Sequence, residues 1–189
     1  MPRWADVTVA APDLAERCVR RLLDPGLVLL GTLRANGSPR ISPVEPLVVD
    51  GELELGMMPG SLKARDLLRD PRCVVHSIVV SKDGDEGDAK VYGCARDVRD
   101  ADARERYGVA LEAAIGWRPE GDFHLFAVDV DRSAGCGSRR GRRTSRAGAP
   151  RGASGAGSAA ERRSPRLCLT IRRMGSRRWG ASVVVGSGA

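Results

Sequence analysis

The chain has 189 residues, 42% of them apolar, with seven aromatics and a formal net charge of +7. That length fits one domain with an appendage, and no apolar run reaches the length needed to cross a bilayer. Cys18, Cys73, Cys94, Cys136 and Cys168 are scattered and form no CxxC spacing, so neither a metal site nor a disulfide framework is indicated. The N-terminus, Met1 to Asp6, lacks the basic-then-apolar layout of a secretory leader, and a cytoplasmic location is expected.

The first helix is predicted over Pro12–Leu23, where Leu14, Cys18 and Leu22 recur at i, i+4, i+8 before Asp24-Pro25-Gly26 ends it. Leu27–Leu33 is an apolar strand, followed by Arg34-Ala35-Asn36-Gly37-Ser38. Asn-Gly between two strand-like runs is a hairpin signal, because both turn residues of that type need positive φ. The next strand, Pro39–Val49, contains Pro43 and Pro46. Proline cannot donate a ladder hydrogen bond, so this strand must be an edge, bulged or broken there. Asp50-Gly51 turns into Glu52–Gly56, which alternates cleanly.

Gly56-Met57-Met58-Pro59-Gly60-Ser61-Leu62-Lys63 then reads as a strand end, a Pro-Gly turn and the start of a helix that Asp70-Pro71 closes. Ser61 stands where an N-cap is wanted. Free backbone N–H groups, the positive end of the helix dipole, the Ser61 hydroxyl and the Lys63 ammonium are together the parts of a phosphate site. The plainer alternative is a capped surface helix whose basic residues sit in water.

Arg72–Val80 is apolar on both faces and is predicted to be a central strand. Lys82–Gly87 is an acidic loop, and Asp88–Val98 is a strand with Gly93 as a bulge or a point of close approach. A helix over Ala101–Gly116 precedes a last alternating strand, Phe123–Asp131. Strands that arrive by hairpins, with helices at only two junctions, favour a mainly β fold: a six-stranded antiparallel barrel with flanking helices. His76 and His124 read as structural histidines, and Ser42 has no visible partners for a catalytic triad.

The composition changes at Ala134. Thirteen of the 31 basic residues and one of the 24 acidic residues lie in 134–189, so a very basic tail follows an acidic body. The division expected is 1–133 as the folded domain and 134–189 as an Arg/Gly/Ala/Ser-rich tail. That composition buries too little apolar area to offset chain entropy, and 134–166 is expected to be disordered. Leu167–Ile171 and Val183–Val185 are short strand-like patches with no evident partner. The chain has three Lys against 28 Arg, which suggests a GC-rich gene. GC-rich DNA read out of frame gives the tail's composition, so a reading-frame shift near residues 132–137 is one expected origin, and a genuine basic disordered tail is its rival.

Three pieces in register carry a resemblance: Gly31–Val44, Gly60–Arg65 running to Asp70-Pro71-Arg72, and Gly87–Ala95. Over roughly residues 10–131 the chain resembles the pyridoxamine 5′-phosphate oxidase family, the flavin-binding split barrels. The resemblance implies a split barrel that forms a homodimer with two flavin mononucleotides (FMN) at the subunit interface. It implies Ser42, Pro43 and Val44 near the flavin ring and Met57 beside the cofactor. Ser61, Leu62 (through its amide) and Lys63 would hold the phosphate, with Lys90 as a weaker candidate. Many members carry Arg where this chain has Leu62, which opens the way to weaker flavin binding or to the deazaflavin F420.

The expected function is an FMN-dependent oxidoreductase with a small-molecule substrate. In that chemistry the flavin reacts and the protein positions it, so no catalytic side chain is required. Arg177-Arg178-Trp179-Gly180 only faintly echoes the ending of authentic pyridoxamine phosphate oxidases, and the vitamin B6 reaction is not transferred. The alternatives are an F420-dependent reductase, a non-catalytic flavin or F420 binder, and a nucleic-acid binder acting through the tail.

Overall fold

The computed structural model describes residues 2–80, 82, 87–137, 166–174 and 178–186. Two short helices, α1 (Trp4–Ala10) and α2 (Pro12–Cys18), open the chain, and α2 continues as a π-helical turn over Val19–Leu23. The single helix expected over Pro12–Leu23 is α2 followed by this turn, and α1 stands ahead of it where no helix is expected. The face of α2 nevertheless points as its periodicity predicts, with Leu14, Cys18 and Leu22 fully buried.

The strands follow as β1 (Val28–Leu33), β2 (Pro39–Val44), β3 (Pro46–Val49), β4 (Glu52–Met57), β5 (Arg72–Ser77), β6 (Asp88–Asp97) and β7 (His124–Gly137). Helix α3 (Leu62–Arg69) lies between β4 and β5, and α4 (Ala101–Ile115) between β6 and β7. Every pairing is antiparallel, in the order β2-β1-β5-β6-β7-β4-β3. The two end strands, β2 and β3, are consecutive in sequence and separated only by Glu45. The chain breaks between Pro43 and Pro46 and passes from one edge of the curled sheet to the other. The six strands expected become seven for that reason, because the two prolines split one of them.

Local turn chemistry follows the sequence with one difference. Asp50 (φ 50) and Gly51 (φ 78) are both left-handed, as a two-residue hairpin turn requires. In the Arg34–Ser38 hairpin only Gly37 is left-handed, at φ 80. The Gly37 amide donates to the Arg34 carbonyl, and the Asn36 side chain accepts from the Ser38 amide. The longer loop needs one positive φ where the two-residue turn needs two.

Gly93 marks the register shift between β6 and β7, and a Cβ there would stand 2.1 Å from the Asp129 carbonyl oxygen. No side chain fits, so the close approach is what requires glycine.

The main core fills the curl of the sheet, with Leu30, Leu55, Val75 and Phe126 packed against α1, α2 and α3. A second cluster lies on the other face, where Leu125, Ala127 and Val98 pack beneath Tyr107 and Leu111 of α4. Strand β7 is buried on both faces over 125–128, which its sequence Leu-Phe-Ala-Val matches. Among the described residues, no helix is long and apolar enough to cross a membrane.

Two further strands, β8 (Arg166–Met174) and β9 (Arg178–Gly186), form a hairpin, with β8 paired to the far end of β7 over Arg132–Gly137. This corrects the expectation that the strand-like patches of the tail lack partners. It also carries β7 past the boundary drawn at 133. The expectation of disorder falls mainly on 138–165, outside the described residues.

Candidate functional site

The turn after β4 lies against the start of β7. Gly60 is left-handed at φ 66, and its amide donates to Nε2 of His124 at 3.3 Å. That contact fixes the turn to the first residue of β7 and gives His124 the structural role its position predicts.

Ser61 occupies the N-cap position of α3, and its carbonyl accepts from the Arg65 amide. Its side chain does not cap. The hydroxyl oxygen is buried with no hydrogen-bond partner, which is costly for a polar atom and marks a place where an acceptor or donor is missing. Lys63, two residues on, reaches across to donate from Nζ to the Pro43 carbonyl oxygen at 2.9 Å. This contact joins the mouth of α3 to β2, so Ser61, Leu62 and Lys63 stand beside the segment Ser42-Pro43-Val44. Met57 ends β4 just ahead of the turn and is buried.

Lys90 is not brought into this group. Its ammonium pairs with Asp88, which also stands 3.7 Å from Nε2 of His76. Pro43, Leu29, His76 and Lys90 lie in one cross-strand row over β2, β1, β5 and β6. Three strand spacings separate Pro43 from Lys90, or about 14 Å. The local Asp88 carboxylate already answers the Lys90 charge.

One residue that holds the site in place was not singled out from sequence. Asp66 is 3% exposed on α3, one turn beyond Lys63. Its Oδ2 accepts from Arg40 Nε at 2.6 Å and from the Thr32 hydroxyl at 3.0 Å, while Oδ1 accepts from Arg69. Arg69 also donates to the Leu33 carbonyl. Burial pushes this carboxyl up, but the hydrogen bonds from Arg40, Thr32 and Arg69 outweigh it and hold it below its ordinary value. The helix that carries Ser61 and Lys63 is thereby bolted to β1 and β2. The sequence signal was faint: one acid on the apolar side of a short amphipathic helix.

Behind Met57 a cavity of about 330 Å3 opens between the end of β4, helix α4 and the segment after it. Its lining includes Met57, Tyr107, Trp117, Phe123, Glu45 and Glu120. Tyr107 is buried, and its ring lies 5.9 Å from that of Phe123. Burial, opposed by a hydrogen bond from the Gly56 backbone and reinforced by Glu45 and Glu54, pushes the phenol up to about 12. A Cβ at Gly56 would stand 2.4 Å from the Tyr107 hydroxyl, so glycine there is what lets the ring in. Among the described residues, no group of three or more His, Cys, Asp or Glu side chains is placed to hold a metal.

The geometry can be set beside known proteins. No curated protein matches the chain. PhzG from Burkholderia lata, solved with tetrahydrophenazine-1-carboxylic acid, superposes with a TM-score of 0.58 at 12% identity, covering 98% of this chain and 94% of that one. A heme-binding protein from Mycobacterium smegmatis gives 0.51 at 23% identity over 66% of this chain and 54% of its own, so this chain spans about half of that protein's length. General Stress Protein 26 from Bacillus anthracis gives 0.51 at 20% identity, covering 64% and 91% of the two chains. At these identities the likeness is one of fold. The family model for pyridoxamine 5′-phosphate oxidase matches residues 14–136, which span β1 to β7 and both α3 and α4. That match runs through most of the folded body, and the chain belongs to the pyridoxamine 5′-phosphate oxidase family.

Proposed function

We propose that the chain is an FMN-dependent oxidoreductase that holds the cofactor phosphate at the mouth of α3. The observation that carries this reading is the buried, unpartnered Ser61 hydroxyl beside an anchored Lys63. The residues fit a phosphate: a helix N-terminus supplies free N–H groups, Ser61 a hydroxyl donor and Lys63 a cation with hydrogen atoms to spare after serving Pro43. The Pro43 carbonyl positions the ammonium, and Asp66 fixes the helix that carries it. Bound there, the flavin would supply hydride or electron transfer through its ring system. The protein's own part is then to bind, orient and shield.

The second reading is F420 in place of FMN. It is favoured by Leu62, which is 56% exposed and uncharged at the helix mouth. A phosphate held by one lysine in place of two cations is held less tightly, and another flavin-like cofactor becomes competitive. Mass spectrometry of the ligand released from purified protein separates the two, and turnover with NAD(P)H or reduced F420 then tests for catalysis. Protein that takes up neither cofactor when both are supplied in excess sinks both readings.

The active species in this reading is a homodimer in the cytoplasm. The outer face of β2, β1 and β5 carries Pro39, Ile41, Pro43, Leu29 and Val74, and Ile41 is 71% exposed. A second copy would remove that surface from water. Light scattering should give twice the chain mass, and Ile41→Asp should give monomer. A wild-type monomer in the flavin-loaded state would refute the assembly.

A further inference from the structure

The cavity beneath α4 combines aromatic walls with carboxylates, and of its lining the cofactor reading uses Met57 alone. Its walls are aromatic and apolar, from Met57, Tyr107, Leu111, Trp117 and Phe123, and its polar side chains include Glu45, Glu120 and Asp122 but no cation. Asp122 is answered from outside by Arg104, at 3.1 Å. Glu45 and Glu120 have no ion-pair partner among the described residues. Arg104 also covers the Phe123 ring, 4.2 Å from its centroid. That ring therefore already accepts one cation on a face.

We propose that this cavity is a binding site for a small, planar organic cation, an aromatic ring system carrying a quaternary or protonated nitrogen. The flat rings of Trp117, Tyr107 and Phe123 favour a planar occupant. The electron-rich ring faces and the two unpaired carboxylates favour positive charge over neutral or negative charge. A volume of about 330 Å3 is at the small end of ligand pockets and suits a molecule of two fused rings. The field is felt inside: Glu45 helps to hold the Tyr107 phenol in its neutral form. Trp117 is 58% exposed and Met58 78% exposed at the rim, apolar surface that an occupant would cover. The proposal goes beyond the flavin assignment: Met57 borders both sites, but the carboxylates and aromatic rings that define this one are not among the residues given to the flavin.

Isothermal titration of the full-length protein, with no flavin added, tests it using N-methylquinolinium as probe and 2-naphthoate as an isosteric anion. The cation should bind about tenfold or more tightly than the anion. The double variant Glu45→Gln/Glu120→Gln should bring the two affinities together. Both residues are exposed, so that variant should fold as the parent does. The proposal is overturned if neither probe binds, if the anion binds as well as the cation, or if the double variant keeps the parent's preference. Repeating the titration with FMN present keeps the two assignments apart: cation binding without flavin uptake upholds this site alone.

Discussion

The Lys63 ammonium donates to the Pro43 carbonyl oxygen at 2.9 Å, linking the first turn of α3 to the strand that breaks at Glu45. Both residues were candidates for cofactor binding, from segments twenty residues apart in sequence. Two residues before Lys63, the Ser61 hydroxyl is buried without a hydrogen-bond partner.

Lys63→Ala is therefore expected to weaken FMN binding and leave the barrel folded. A hydrogen bond to a charged group contributes about 1.5–3 kcal/mol, which corresponds to roughly ten- to hundredfold in affinity. Fluorescence titration measures this, with circular dichroism as the control for folding. Unchanged affinity would place the phosphate elsewhere.

Asp66→Asn should destabilise the fold. Removing one partner of a buried ion pair costs about 3 kcal/mol or more, because Arg40, itself only 19% exposed at the side chain, is left uncompensated. Urea unfolding at neutral pH reads the difference. The carboxyl is held below its ordinary value in the folded state, so its contribution is present above the unfolded-state pKa, near 3.8, and is lost as pH falls further. The variant should show a shallower loss of stability below that pH. An unchanged acid limb would show that Asp66 does not hold α3 in place through its charge.

Glu54 predicts the opposite slope. It is 5% exposed on β4 with one carboxyl oxygen unpartnered. Burial, with Glu52 and Asp50 adding to it against Arg106 and Arg96, pushes its pKa up to about 7 from 4.5. Between those values the unfolded chain has released the proton and the folded chain still holds it. Stability should accordingly fall as pH rises from 4.5 to 7, then level off. Glu54→Gln should remove this slope and gain up to about 3 kcal/mol at pH 8. Thermal melts of both proteins across that range decide it, and parallel curves would contradict the assignment.

For the tail, one expected origin is a shift of reading frame near codons 132–137. One of the two alternative frames of the gene beyond codon 132 should then encode an alternating, strand-like continuation. If neither does, the frameshift origin is refuted, and the β8–β9 hairpin on β7 stands as an evolved feature of this chain.

Local features were legible because local chemistry determines them. Two prolines three residues apart break a strand whatever surrounds it, and the break falls at Glu45. Asp50-Gly51 turns because glycine takes positive φ without a steric penalty, and Gly93 marks the bulge as its place in a strand suggested. The order of hairpins and two inserted helices was enough to indicate an antiparallel barrel. The three family-like segments were enough to indicate the family whose model matches residues 14–136.

What only the tertiary structure decided are meetings of residues far apart in sequence. Asp66 finds Arg40 and Thr32 only when α3 packs on β1 and β2, and neither strand bears any sequence mark of that contact. Ser61 reads as a cap from its neighbours, yet its hydroxyl is left buried and unpartnered. Lys90 reads as a candidate cation for the cofactor, yet Asp88, two residues before it on β6, pairs with it. Tyr107 reaches the wall of the cavity under α4 because Gly56 yields room to its ring, a pairing across some fifty residues. Backbone preferences are set by each residue and its neighbours, so sequence reports them. Burial and charge pairing depend on which surfaces the whole chain brings into contact, and those were decided by packing.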